Sequence, residues 1–436
     1  MWNEWISYLH ASWKWPKFHE SSERVRKILL VADPQLIGYQ NEDTMIGPFS
    51  RWDSDRYLAK TFEMVTSVVK PDLIVFLGDL FDEGSIGSDA EFMVTLSRFD
   101  WVFQSAKSTQ RMFLCGDNDI GGEWPERIKP MKRERFLRYF YDVTLRLYQL
   151  FPRINFQKIV DGAIVNSRPD SAEFNVLFSH LPQLPYYGGN PDSLLHVTSP
   201  VLVVSGHSHR LAFYAVSSLE ESDAYYPVNM TSQTDAYFGL LGVSLLASSP
   251  PSIQYFSSSD PGAVSPSQAK ILEFQVPTCS YRMGEPRMGY GVISVDQSKT
   301  EVSLDLVVLW LPGRYPQLYL YLITYWWWRV YYCREQPASQ PASLSKFACG
   351  LQGARGRGSA QLGLLLAGSA CNYARPPSSL PPLALSPLLF SLLALCVCEM
   401  CCAVAVDGLG RPQDRRGVPP SGIIYTTVSS APCRNH

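Results

Sequence analysis

The 436-residue chain has no basic block: 38 Lys and Arg stand against 40 Asp and Glu, a formal charge of −2. A nucleic-acid binder needs a concentrated Lys/Arg surface, so that class is set aside. Cysteine is scarce at the front. Only Cys115, Cys279 and Cys333 fall in the first 333 residues, which excludes a disulfide scaffold there. The remaining seven cysteines crowd the last hundred residues, and Cys396/Cys398 and Cys401/Cys402 lack the paired CxxC spacing of a zinc site. Residues 1–22 carry four tryptophans but no apolar run of seven, so no signal peptide is read there. Disorder throughout is excluded as well, because 46% of the chain is hydrophobic and only 18% charged.

What is present is an alternation. Five short apolar runs, Lys27–Ala32, Asp72–Leu77, Arg111–Cys115, Phe174–Phe178 and Val201–Val204, read as buried strands. Leu58, Phe62, Val65 and Val69 follow a helical spacing that Pro71 closes, and residues 89–106 and 131–150 also read as helices. Two further strands are expected at Ile271–Val276 and Glu301–Trp310. Strands alternating with helices predict an α/β layered core. The Ser/Pro-rich residues 245–268 are read as a loop or insertion. The uncharged aromatic run Tyr315–Trp328, within a segment 315–333, reads as a membrane-associated element or a buried one. Residues 334–436 are of low complexity and read as a tail, with a Leu/Cys run at 388–398 as a second membrane candidate.

The strand ends carry the chemistry. They read Ala32-Asp33-Pro34-Gln35, Gly78-Asp79-Leu80-Phe81-Asp82, Gly116-Asp117-Asn118-Asp119, Ser179-His180 and Gly206-His207-Ser208-His209. Loops at the carboxyl ends of strands are where α/β folds build sites. Three of the seven histidines of the chain fall in these loops. Carboxylates and amides offer oxygen and imidazoles offer nitrogen, a set suited to two divalent ions. Two such ions about 3.5–4 Å apart can clamp a phosphoryl group during in-line displacement.

In these motifs the sequence resembles the calcineurin-like metallophosphoesterases, whose pattern is DxH, GDxxD, GNH(D/E), a lone His and GHxH. Asp33-x-Gln35, the phrase GDLFDEG from Gly78, and the stretch Val276–Val295 resemble in particular the membrane-bound metallophosphoesterase 1 branch, which remodels GPI anchors. The resemblance covers about residues 26–310 and leaves 1–25 as an N-terminal segment, read as a truncated anchor region. It implies a four-layer sandwich of two packed sheets flanked by helices. It implies a manganese-dependent phosphodiesterase that removes ethanolamine phosphate from a mannose of GPI anchors. It places the enzyme in the membrane of endoplasmic reticulum exit sites or early Golgi, with a lumenal catalytic domain and GPI-anchored proteins as cargo.

Carried over by position, Asp33, Gln35 and His209 hold the first metal; Asp117, His180 and His207 hold the second; Asp79 bridges. Asp82 is expected to orient a ligand rather than be one. Gln35 stands where the superfamily pattern has His, and its harder amide oxygen favours manganese or magnesium over zinc. Asp117 replaces an Asn and adds a negative charge. Asn118 replaces the catalytic His and cannot give up a proton at neutral pH, so Asp119 or a bound water becomes the candidate acid. Another small phosphodiester or nucleotide is the alternative substrate, and an impaired adaptor that binds GPI-anchored cargo is the alternative role. The sequon Asn229-Met230-Thr231 is a weak sign of a lumenal, glycosylated face.

Overall fold

Leu29, Leu30 and Val31 are all inaccessible to solvent, which requires cover on both faces of the strand that carries them. That strand, β1 (Val25–Val31), lies inside the first of two mixed sheets in this computed structural model. The structure describes residues 5–18, 25–42, 45–122, 127–140, 147–160, 163–166, 173–186, 195, 198–216, 226–227, 240–246, 252–256, 267–297 and 301–335. The chain divides into two units, residues 1–324 and 325–436. The second is described only over 325–335. The expectations for residues 336–436 and for Asn229 lie outside the described residues.

The first sheet also holds β2 (Leu73–Phe76) and β3 (Gln110–Phe113), both parallel to β1. Its other side is antiparallel: β14 (Gly289–Gln297) pairs with β1, and β15 (Glu301–Trp310) with β14. Beyond β15 come β10 (Leu240–Leu246), β11 (Ser252–Phe256) and β12 (Ser267–Ala269). The second sheet runs β5 (Ala163–Asn166), β4 (Ile154–Val160), β6 (Phe174–Ser179), β7 (Leu202–Ser205), β13 (Ile271–Gln275), β8 (Ala212–Val216), β9 (Tyr226–Pro227). The loop expected over 245–268 is therefore corrected in part. Ile253, Tyr255 and Phe256 pair against β10 as a strand, because β-forming side chains outweigh the Ser/Pro-rich flanks locally.

Period-two alternation sorts the side chains into layers. Ile28 and Leu30 of β1 meet Phe156, Val176, Phe178 and Phe274 of the second sheet between the two sheets. Leu29 and Val31 face the other way, onto α2 (Gly47–Val69), α3 (Asp89–Val102) and α5 (Pro130–Tyr139). Leu58, Phe62, Val65 and Val69 of α2 are fully buried, as their spacing requires, and Lys70 ends that helix in the left-handed region. On the far face of the second sheet, Leu177, Val203 and Ile271 are covered by Leu184 and Leu195. Two short helices, α4 (Asp117–Ile120) and α6 (Leu147–Leu150), sit at loop positions, and α1 (Ser7–Ser12) precedes the domain. The aromatic run forms α7 (Arg314–Glu335). Among the described residues no helix is long and apolar enough to cross a membrane.

Candidate metal centre

The sheets present their parallel strands so that the loops after β1, β2, β3, β6 and β7 meet at one end. Backbone bonds lock these loops together. Gln35 and Leu36 donate to the carbonyls of Asp79 and Leu80 at 3.0 Å, which zips the first loop to the second. Gly206 donates to the His180 carbonyl, joining the loops after β7 and β6. Thr278 Oγ1 donates to the Asp33 carbonyl at 2.8 Å, and Thr278 N to the His209 carbonyl. Thr278 is a supporting residue that sequence reasoning missed. The chain signalled it only as part of the Val276–Val295 stretch, with no ionisable group to mark it.

Within this frame the predicted ligands converge. Asp79, Asp117, His180 and His207 each offer a ligand atom, all within 4.8 Å of one another; Asp33, Asp79 and His209 do the same. Asp79 belongs to both groups. Seven described non-glycine residues have left-handed backbone, and five of them are Asp33, Gln35, Asp79, His207 and His209. Each such residue costs of order 1–3 kcal/mol, which a fold retains where the geometry serves a function.

His180 shows how an imidazole is set. Its Nδ1 lies 2.8 Å from the Leu77 carbonyl, so the ring carries its proton there and turns Nε2 toward the site. Nε2 lies 2.9 Å from Asp117 Oδ1 and 3.5 Å from Asp79 Oδ1. His207 Nδ1 reaches the same Asp117 oxygen at 3.1 Å, and the His207 amide donates to Asp33. The nitrogen end of the Gln35 amide faces Asp79 Oδ2 at 3.0 Å and His209 Nε2 at 3.3 Å. Turning that amide over puts its oxygen in the same place, as a ligand requires; the two ends are alike in shape.

The charges in the cluster strain against burial. Desolvation pushes the Asp33 carboxyl up to about 7, with His180 opposing and Asp79 adding to it. Burial alone would lower His180, but the carboxylates of Asp79, Asp117 and Asp33 outweigh it and raise the ring to about 10. Burial opposes the ionised Asp117, yet bonds from His180 and His207 hold its carboxyl well below the usual range. His209 is lowered by burial. Buried carboxylates and imidazoles crowded this way fit divalent cations, which neutralise them all at once.

Two sequence expectations change, for Asp119 and Asp82. Asp119 is not an acid facing the site. It is 1% exposed, and its carboxylate accepts from the amides of Leu80, Phe81 and Gly116 at 3.0–3.2 Å. Burial and the Asp79 charge push it up to about 7 against those three donors. It clips the third loop to the second. Asp82 lies outside both ligand groups, and among the described residues its carboxyl makes no hydrogen bond to a ligand. Burial, then Glu83, pushes it up to about 6. Its neighbour Glu83 does the loop work instead, accepting from the amides of Tyr39, Gln40 and Asn41 at 2.5–2.8 Å. Asn118 is committed to Asp79: its backbone amide donates to Oδ1 at 3.0 Å and its Nδ2 to Oδ2 at 2.9 Å.

Residues 26–211 match the family model of the calcineurin-like phosphoesterases. The Metallophosphoesterase 1 homolog of Drosophila melanogaster is 24% identical over 139 residues, covering 31% of this chain and 36% of that protein. Cell division control protein 1 of Saccharomyces cerevisiae is 30% identical over 143 residues, covering 31% and 28%. Metallophosphoesterase 1 of Danio rerio is 24% identical over 163 residues, covering 37% and 39%. The matched part thus spans roughly a third of the length of these curated relatives. A solved metallophosphoesterase from Sphaerobacter thermophilus is 12% identical, covers 65% of this chain and 88% of its own, and superposes with a TM-score of 0.29.

Proposed function

We propose that the calcineurin-like phosphoesterase domain carried by this chain is a two-metal phosphodiesterase that removes ethanolamine phosphate from a mannose of GPI anchors. The observation that carries the hydrolase reading is the pair of ligand groups sharing Asp79, with Asp33, Asp79, His207 and His209 on left-handed backbone. Asp33, Gln35 and His209 would hold one divalent ion and Asp117, His180 and His207 the other. Bound there, the ions supply Lewis acidity toward a phosphoryl oxygen and toward water. Manganese is the reading for both, since three carboxylates and one amide offer oxygen beside the three imidazoles.

The chain's own groups do the positioning. The Leu77 carbonyl fixes the proton of His180 on Nδ1 and so its tautomer. Asn118 spends one N–H of its side-chain amide on Asp79 and keeps a second to donate to a phosphoryl oxygen. It has no proton to give the leaving oxygen, and Asp119 is turned into the backbone, so we assign that proton to water. The substrate rests on the likeness to proteins named Metallophosphoesterase 1 and on the motifs shared with that branch. From the same likeness we place the protein in the membrane of endoplasmic reticulum exit sites or early Golgi, with GPI-anchored proteins as its cargo.

Asn118 also favours a second reading, a metal-holding adaptor for the same cargo. Release of ethanolamine phosphate from a mannose-linked substrate, assayed with manganese, separates the two. Turnover that disappears in Asp79→Asn supports the enzyme. Two tightly held ions with no turnover on any phosphodiester supports the adaptor.

A further inference from the structure

A cavity of about 570 Å³ opens at the same sheet end as the metal centre. Gly289 at the start of β14 pairs with Trp310 at the end of β15, and Gly291 lies opposite Leu30 of β1, just before Asp33. The loop before β14 links the two places. Glu285 pairs with Arg210, the neighbour of His209, at 2.7 Å, and the next two residues, Pro286 and Arg287, line the cavity. α1 and the start of α7 supply the rest of its wall.

The lining has two characters. Ala11, Trp15, Val308, Leu311, Pro312 and Leu320 make it largely apolar. Its charged residues are the cations Lys14 and Arg287, with no Asp or Glu among the lining residues. Lys14 is exposed and has no carboxylate partner among the described residues. The Arg287 guanidinium lies 4.0 Å over the Trp310 ring, and the Trp310 indole N–H is buried without an acceptor among the described residues. Leu9 of α1, Trp13 just after it and Ile323 of α7 stand exposed. A basic rim over an apolar interior is complementary to an amphipath with an anionic head, and the volume falls within the ~300–1,000 Å³ of ligand sites. A free anion would leave the apolar wall uncovered.

We propose that this cavity binds a phospholipid, seating an acyl chain between α1 and β15 with the anionic headgroup against Lys14 and Arg287. This site is separate from the metal ligands and does not rest on the catalytic reading. The test is calorimetric titration of the full, metal-loaded chain with monomeric dihexanoyl phosphatidylglycerol, dihexanoyl phosphatidylcholine and inorganic phosphate. Phosphatidylglycerol is expected to bind one site at least about tenfold more tightly than phosphatidylcholine. Lys14→Glu, on an exposed side chain, should weaken that binding by about tenfold or more. Ala11→Phe, which fills the cavity, should abolish it with metal content unchanged. Phosphatidylglycerol binding that both variants leave intact would place the lipid elsewhere and overturn the proposal. Equal binding of the two lipids would remove the role of the basic rim. Inorganic phosphate that binds as tightly as the lipid, and is lost in Lys14→Glu, would make this an anion site and not a lipid one.

Discussion

Asp79 is the residue on which both halves of the centre depend. It belongs to both ligand groups, and the backbone and side-chain amides of Asn118 also donate to it. Substituting a group that merely orients a ligand lowers metal affinity about 10–100-fold, so loss of a shared ligand should exceed that. Asp79→Asn is therefore expected to bind fewer than two ions by mass spectrometry and to lose more than about 100-fold in turnover. Asn118 makes the opposite prediction. A positioned general acid contributes about 10²- to 10⁴-fold. Asn118→His should raise kcat on a phosphodiester with an unactivated leaving group and change little on an aryl ester that needs no proton. An equal effect on both substrates would mean that position 118 acts on metal binding instead. The six clustered carboxylates and imidazoles were legible because they recur directly after apolar strands, where a fold that had no ion to bind would bury charge at a cost. The direction of Asp119 was not legible from type alone. Its place at the third position of α4, reaching back to the Gly116 amide, is a capping arrangement that the motif hid.

Strand-end turns convert these residues into a site, and glycine is required where loops touch. A Cβ at Gly116 would stand 2.0 Å from Asp79 Oδ1 and 2.5 Å from the Asp79 amide. Gly116→Ala must push the β3 and β2 loops apart, a strain of typically 1–3 kcal/mol. Metal affinity is expected to fall together with the melting temperature; a normal melting point with normal metal content would show that the loops give freely. A second element-scale device lies in β13. Glu273 is inaccessible and takes the amides of Gln183 and Leu184 and the Ser205 hydroxyl, pinning the segment after His180. Burial raises its carboxyl above the ordinary range despite those donors. The folded state therefore holds this proton more tightly than the unfolded chain. Its contribution is fully present below the unfolded carboxylate pKa and is lost as pH rises through the folded one. Glu273→Gln should compare more favourably with the native chain at pH 7 than at pH 4 in denaturant unfolding. The parallel strands β1, β2, β3, β6 and β7 were legible as unbroken apolar runs. The strand β14 was not: Gly289 and Gly291 give it a turn-like composition, yet a side chain at 291 would crowd Leu30 and Val276. The strand β11 was lost among serines for the same compositional reason.

At the scale of the molecule, one buried ion pair ties distant parts of the first unit together. Arg314, at the start of α7, bonds Asp53 of α2 through Nε at 3.1 Å and through Nη2, across 261 positions of sequence. Tyr281 donates to the same carboxylate at 2.8 Å. Gln317 accepts from Arg314 and donates to Ser7 of α1. Both charges are about as inaccessible as core leucines, at 3% and 2% side-chain exposure. Removing one member of such a pair leaves the other charged and buried, which costs about 3–5 kcal/mol, whereas replacing both is often near neutral. Against a total stability of about 5–15 kcal/mol the single loss is large. Arg314→Met should thus destabilise the chain severely, and Asp53→Asn combined with it should recover most of the loss. The chain path makes a second consequence follow. Tyr281 lies three residues after Thr278, whose hydroxyl holds the Asp33 carbonyl. Freeing Asp53 from Arg314 should loosen that segment, so Arg314→Met is expected to weaken metal binding at temperatures where the protein is still folded, and the double variant to restore it. Metal titration of the two variants, each held well below its own melting point, checks this. Unchanged metal affinity in Arg314→Met would confine the pair to anchoring α7.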